Sequence, residues 1–307
     1  MISRRNIRVK VMQTLYALDS IDQAAKPGEP VKLLQKQFDH TRQLLVYMIH
    51  FLTELMRYAE TDARNRASKH LPTAADLEVN TKIAGNTLLW KVLEDQSYTI
   101  ALNNDNADRF LDKELVRKLY LELVETPEYQ SYISRQSREP KDEKAIVDYI
   151  YSNLMITNEK FTSHLEEQFN NWDDDCEMVN LLVQNYLNKP GSYQFSKILS
   201  DEKWQFAKNL LQTVMEKNEV TLDMIKPKLK NWDPERIATL DMILMQMGVC
   251  EFLYFETIPP KVTINEYIDL AKEYSTNQSG QFVNGILDNI HKDLVRDDKL
   301  HKVSFRK

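Results

Sequence analysis

From Val31 to His70 the chain runs without a single proline or glycine, between Lys26-Pro27-Gly28-Glu29-Pro30 on one side and Pro72 on the other. A stretch this long, bounded by helix breakers and rich in Leu, Gln, Lys and Met, predicts one extended helix over 31–70. Such a helix must cover its apolar face with other packed elements. No segment elsewhere alternates with period two for long enough to build a sheet. Six glycines in 307 residues also leave little material for tight hairpins or phosphate-cradling loops. The expectation is an all-α fold of two or three compact helical units.

The longest apolar run, Leu44 to Met56, is interrupted by His50, Thr53 and Glu54. It is shorter than the ~20 residues a membrane span requires. Charge begins at Arg4 with no apolar segment behind it, so no signal peptide is expected. Cys176 and Cys250 stand far apart without CxxC or Cys/His company, as befits small core residues in a reduced compartment. A soluble, cytoplasmic chain that contacts no membrane is the consequence.

Residues 3–19 read as a helix with Ile7, Val11, Leu15 and Leu18 on one stripe and Arg5, Met12 and Tyr16 beside it. Further helices are expected over 76–96 and 109–124, separated by a polar loop at 103–108. Thr126-Pro127 and Glu139-Pro140 then bracket a short helical piece. Residues 150–173 align without gaps on 210–233, with identities at Met155/Met215, Asn158/Asn218, Glu159/Glu219, Asn171/Asn231, Trp172/Trp232 and Asp173/Asp233. This predicts a duplicated helix–loop–helix, 141–190 repeating 200–250, unless two hairpins converged on one pattern. Lys189-Pro190-Gly191 marks a domain boundary.

The net charge of −6 means that any nucleic-acid site must be a local basic patch on an acidic body. Arg4, Arg5, Arg8 and Lys10 form one, opposed in the first twenty residues only by Asp19. An enzyme is disfavoured. None of the six glycines forms GxG, the six histidines show no HExxH spacing, and Asp173-Asp174-Asp175 abut a helix start, where they favour its dipole. No metal or cofactor is expected.

The most specific pattern lies near the carboxy terminus. Pro259-Pro260-Lys261-Val262-Thr263-Ile264-Asn265-Glu266 is followed by Asp269-Leu270-Ala271-Lys272, then by Phe282-Val283-Asn284-Gly285-Ile286-Leu287-Asp288. Together with Arg4-Arg5-Asn6-Ile7-Arg8 and Gln13-Thr14-Leu15-Tyr16, this resembles the signature of the NusB family of transcription antitermination proteins. The resemblance implies a NusB-like helical bundle from 1–20 plus 195–295, a helical insertion over 31–190, and a basic tail at 296–307. It implies binding of boxA-type single-stranded RNA through Arg4, Arg5, Arg8, Gln281 and Phe282. It also implies docking of NusE, a small-subunit ribosomal protein, beside Tyr16 and Asp241, and delivery to RNA polymerase during ribosomal RNA transcription.

The residues themselves leave alternatives open. The arginines could form a solvated helix face, Phe282 and Tyr16 could be core side chains, and Asp241 a surface carboxylate. Ser279 is expected to cap a helix whose free amides face a phosphate, Asp233 and Pro234 to open another, and Gly285 to permit close helix packing. Asn284 is expected to cap or cross-link helices. Gln246 and Asn6 stand where the family commonly carries basic residues, which would weaken RNA binding. The rival to an RNA-binding factor is a helical scaffold that binds protein alone.

Overall fold

The computed structural model describes residues 2–20, 26–229 and 237–303. Fifteen α-helices and a few short 3₁₀ turns account for most of these residues, with no strand among them, so the protein is all-α. The chain divides into two compact units: residues 39–198 form the first, and residues 2–38 with those from 199 onward form the second. The partition falls inside the long helix rather than at the Pro27–Pro30 turn. The reason is Phe38, which is buried in the second unit with its ring edge-on to Trp204 at 6.2 Å. At the other end the first unit continues past Pro190-Gly191, because Phe195 packs on Tyr98, Tyr186 and Tyr193.

The second unit opens with α1 (Arg4–Asp19). The long helix α2 (Glu29–Ala67) follows a turn in which Gly28 takes a φ of +81°. In the first unit the expected helix over 76–96 is broken into α3 (Ala74–Leu77), a 3₁₀ turn, α4 (Thr87–Leu93) and the start of α5 (Gln96–Asn104). Asn86 Oδ1 accepts from the amides of Leu88 and Leu89, and Asp95 from that of Ser97. Short polar side chains that bond nearby amides favour helix starts over helix interiors. Helices α6 (Lys113–Val124), α7 (Pro127–Ser134) and α8 (Pro140–Tyr149) follow, the last two each opening on the proline marked as a breaker. A π-helical turn, Ile150–Met155, leads to α9 (Glu159–Gln168) and α10 (Trp172–Asn188). The core of this unit is aromatic: the Tyr47 ring meets those of Phe51, Phe110, His164 and Phe169 within 6.2 Å.

The second unit is completed by α11 (Asp201–Glu216), α12 (Asn218–Ile225), α13 (Thr239–Tyr254), α14 (Pro260–Tyr274) and α15 (Ser279–Arg296). α1 packs against both α11 and α13. It therefore buries Arg8, Val9, Lys10 and Thr14 as well as Ile7, Val11 and Leu15. A single apolar stripe understates how enclosed this helix is. The close approach of α13 to α15 occurs at Gly248, where an added Cβ would lie 2.8 and 2.9 Å from the two Leu287 methyl carbons. Gly285, expected to do this, faces open space.

The two halves of the sixty-residue repeat share part of their design. Leu165 and Ile225 are buried, as are Phe169 and Leu229. Asn158, however, caps α9, whereas Asn218 accepts a hydrogen bond from Gln246 at the start of α12. Met155 is buried and Met215 exposed. Trp232, Asn231, Asp233 and Pro234 lie outside the described residues, so the Trp172/Trp232 equivalence and the expected Asp233 cap do too; within the described residues α13 begins at Thr239.

Candidate nucleic-acid interface

The amino-terminal arginines are set in space by the cap of α1. Ser3 accepts from the Asn6 amide, and the Ser3 hydroxyl and Asn6 side chain also bond each other. Asn6 is thus the third helical residue of a capped first turn, which gives that position a reason to be amide rather than cationic. Arg4 and Arg5, on the same turn, project outward. Arg4 reaches Glu202 at 3.1 Å and lies over the Phe206 ring at 5.5 Å. Arg5 reaches Glu273 at 2.7 Å and Asp269 at 3.9 Å on α14.

Arg8, one turn on, points the other way. Its side chain is 2% exposed, and Nε and Nη2 donate to the two oxygens of the fully buried Glu251 at 2.7 and 3.1 Å. Nη1 reaches Glu266 at 3.2 Å. Tyr267 and Thr263 also donate to Glu251, at 2.8 and 3.0 Å. Burial opposes the charge more than any single partner favours it, but the Glu251 hydrogen bonds together with the charges of Tyr267, Glu251 and Glu266 outweigh it and hold the guanidinium more firmly protonated than usual. The expectation of a phosphate contact at Arg8 is corrected: its donors are spent on a buried cluster that ties α1 to α13 and α14.

The amino end of α15 departs from expectation in a similar way. Ser279 is the first helical residue rather than the cap. Its hydroxyl donates to Asp241 Oδ2 at 2.8 Å and accepts from the Thr276 amide at 3.2 Å. The amides of Ser279, Gln281 and Phe282 already donate to the carbonyls of Thr276 and Gln278. Most of the helix-end donors expected to meet a phosphate are therefore engaged. Gln281 is exposed, Phe282 is half-buried, and Asn284 is exposed instead of linking helices. Asp241, placed by the resemblance at a partner interface, is only 6% exposed. It holds Ser279, and its Oδ1 has no hydrogen-bond partner among the described residues. Tyr16 is 46% exposed near the end of α1.

α14 connects these places. Asp269, which meets Arg5, also lies 3.8 Å from the Lys272 ammonium. The Lys272 stem runs over Gly280, so closely that a Cβ there would sit 2.6 Å from its Cγ. Arg5, Lys272 and the Gln281–Phe282 turn therefore share one neighbourhood of the second unit. Lys272 was legible only as the last letter of the Asp269-Leu270-Ala271-Lys272 motif, with nothing in the sequence to give it a role. Gln246 is not on this surface: it is buried and donates to Asn218 and Thr221. A glutamine at this position therefore removes no surface cation.

Cys250 is buried and Cys176 half-buried. Among the described residues no group of His, Cys, Asp and Glu is placed to hold a metal ion, and no helix is long and apolar enough to cross a membrane.

Residues 167–292 match the NusB family. The match begins upstream of the Pro190-Gly191 break and takes in α10 to most of α15. Three relatives carry the description transcription antitermination protein NusB. That of Methylacidiphilum infernorum is 40% identical over 104 residues, 34% of this chain and 72% of the relative. That of Salinibacter ruber is 41% identical over 97 residues, 32% of this chain and 61% of the relative. That of Finegoldia magna is 38% identical over 114 residues, 34% of this chain and 83% of the relative. No solved structure matches the chain.

Proposed function

The chain belongs to the NusB family, and from that premise we propose that it serves transcription antitermination by holding a boxA-type single-stranded RNA together with NusE. The joint complex is presented to RNA polymerase during ribosomal RNA transcription. The role is one of binding, not catalysis.

The observation that carries this reading is the grouping of Arg5, Lys272 and the Gln281–Phe282 turn around α14. Arg5 and Lys272 are partly exposed, and their carboxylate partners are exposed as well. Such ion pairs contribute about 0–1 kcal/mol each, so a phosphate can replace the carboxylate at low cost. Arg4 stands in the same position with respect to Glu202. Phe282 offers a ring on which an unstacked base can lie, and Gln281 an amide that can bond a base edge or phosphate. NusE docks on the exposed ring of Tyr16; Asp241 supports the RNA face from beneath by fixing Ser279. Two modest surfaces sharing one RNA gain through effective concentration, so neither must bind tightly alone.

The test is fluorescence anisotropy with a labelled boxA-like RNA, with and without NusE, over a salt series. The double variant Arg5→Gln/Lys272→Gln should bind more weakly and lower the slope of log K against log salt by about 0.7 per lost contact. The close acidic partners of Arg4 and Arg5 favour one rival, a scaffold that binds protein only. That reading would win if NusE bound while RNA did not, even at low salt.

A further inference from the structure

The first unit carries a second concave surface that the reading above does not use. A groove of about 360 Å³ runs between the second half of α2 and the start of α6. One wall presents Arg57, Tyr58, Thr61 and Arg64 at helical spacing; the other presents Lys113, the first residue of α6, and Val116. Arg57 and Arg64 lie two turns apart on one face of α2, about 10 Å along the axis.

The donors in this groove are mostly unspent. Arg57 uses one nitrogen on Glu54 at 3.0 Å. Among the described residues Arg64 makes only long bonds of 3.3 Å, to the Glu60 carbonyl and the Thr61 hydroxyl. Lys113 forms no ion pair among the described residues. A guanidinium has five N–H donors and an ammonium three, so the three cations together can still offer several bonds to an incoming anion. Two carboxylates, Glu54 and Glu60, share the groove, and one of them is already bonded to Arg57. Tyr58 also lines the groove, half-buried, its ring held against Tyr120 at 5.2 Å. A braced aromatic ring in the same groove as three cations suits a strand that carries both charge and flat bases, whereas an acidic peptide would leave the ring unused.

We propose that this α2–α6 groove binds the phosphodiester backbone of single-stranded RNA, so that the first unit adds RNA contacts of its own. The proposal rests on the RNA-binding reading of the second unit for the class of ligand, and on the groove's own residues for its place. Its test uses the full chain with Arg57→Gln, Arg64→Gln and Lys113→Gln combined. Two RNAs are compared over a salt series: one of about 12 nucleotides, the size of a single site, carrying the boxA-like element, and one several times longer. Binding of the short RNA should stay at the wild-type level. For the long RNA the slope of log K against log salt should fall by about 2, or 0.7 for each of three contacts. A wild-type slope on the long RNA would overturn the proposal. So would a loss confined to polyglutamate binding, which would assign the groove to an acidic protein segment. If the triple variant misfolds by circular dichroism, Lys113→Gln alone carries the test, with an expected fall of about 0.7. Failure of the second-unit reading is seen separately, as unchanged short-RNA binding in Arg5→Gln/Lys272→Gln.

Discussion

Removing the Arg8 side chain tests whether the first helix is anchored by a buried ion pair or offers a cation to RNA. Arg8→Ala would leave Glu251, at 0% exposure, with Tyr267 and Thr263 as donors but no cation bonded to its carboxylate, the Lys302 ammonium lying on its backbone carbonyl instead. Breaking one side of a buried pair costs about 3–5 kcal/mol, because the remaining charge cannot reach water. At about 2–4 °C per kcal/mol for a protein of this size, the melting temperature should fall by about 6–20 °C. The assay is a thermal melt by circular dichroism, with urea unfolding as a check on midpoint and slope. Replacing both partners, as in Arg8→Met/Glu251→Leu, removes the stranded charge, so its cost should be smaller than the sum of the single changes by about 1–3 kcal/mol. RNA binding by the folded single variant should keep the wild-type salt slope. A variant that melts like wild type and loses about 0.7 from that slope would refute the reasoning and return Arg8 to the RNA face.

Phe282→Ala should reduce RNA affinity by about 1–3 kcal/mol while leaving the melt nearly unchanged, since the ring is only half-buried; a large drop in melting temperature with normal binding would make it a core residue. Gly248→Ala should destabilise the second unit by about 1–3 kcal/mol through its collision with Leu287, whereas Gly285→Ala should cost nothing measurable in urea unfolding. Burial lowers the pKa of His164 from its usual 6.5, so the unfolded chain takes up the proton first. Stability should therefore be full above pH 6.5 and decline as pH falls below it, and His164→Asn should flatten that step in a pH series of urea midpoints. Burial pushes the Cys250 thiol up to about 12, so a thiol reagent at pH 8 should modify Cys176 slowly and Cys250 only after unfolding.

Much of the fold was legible in local pattern. The unbroken run after Pro30 became α2, and the prolines at 127 and 140 became helix starts, because a ring that fixes φ suits a first turn. The carboxy-terminal motif carried the family. Local pattern failed where a single polar residue decided a boundary: Asn86 and Asp95 interrupt an expected helix by bonding amides just ahead of them. It failed again at Gly248 and Gly285, which look alike in sequence, because only the packing partner tells which glycine is needed.

The candidate site divides in the same way. By itself the sequence determined that arginines crowd the first turn of α1, that Phe282 opens the last helix, and that few carboxylates stand nearby in the chain. It could not determine which arginine meets water. Arg4, Arg5 and Arg8 share one helix, and their fates depend on residues more than 190 positions away: Glu202, Glu273 and Glu251. Enclosure of α1 by α11 and α13 turned Arg8 inward onto a buried carboxylate. The same packing left Arg5 outward and, through α14, brought it beside Lys272 and the start of α15. Tertiary structure alone decided this, because burial and charge pairing are set by whichever elements meet in space and not by spacing along the chain.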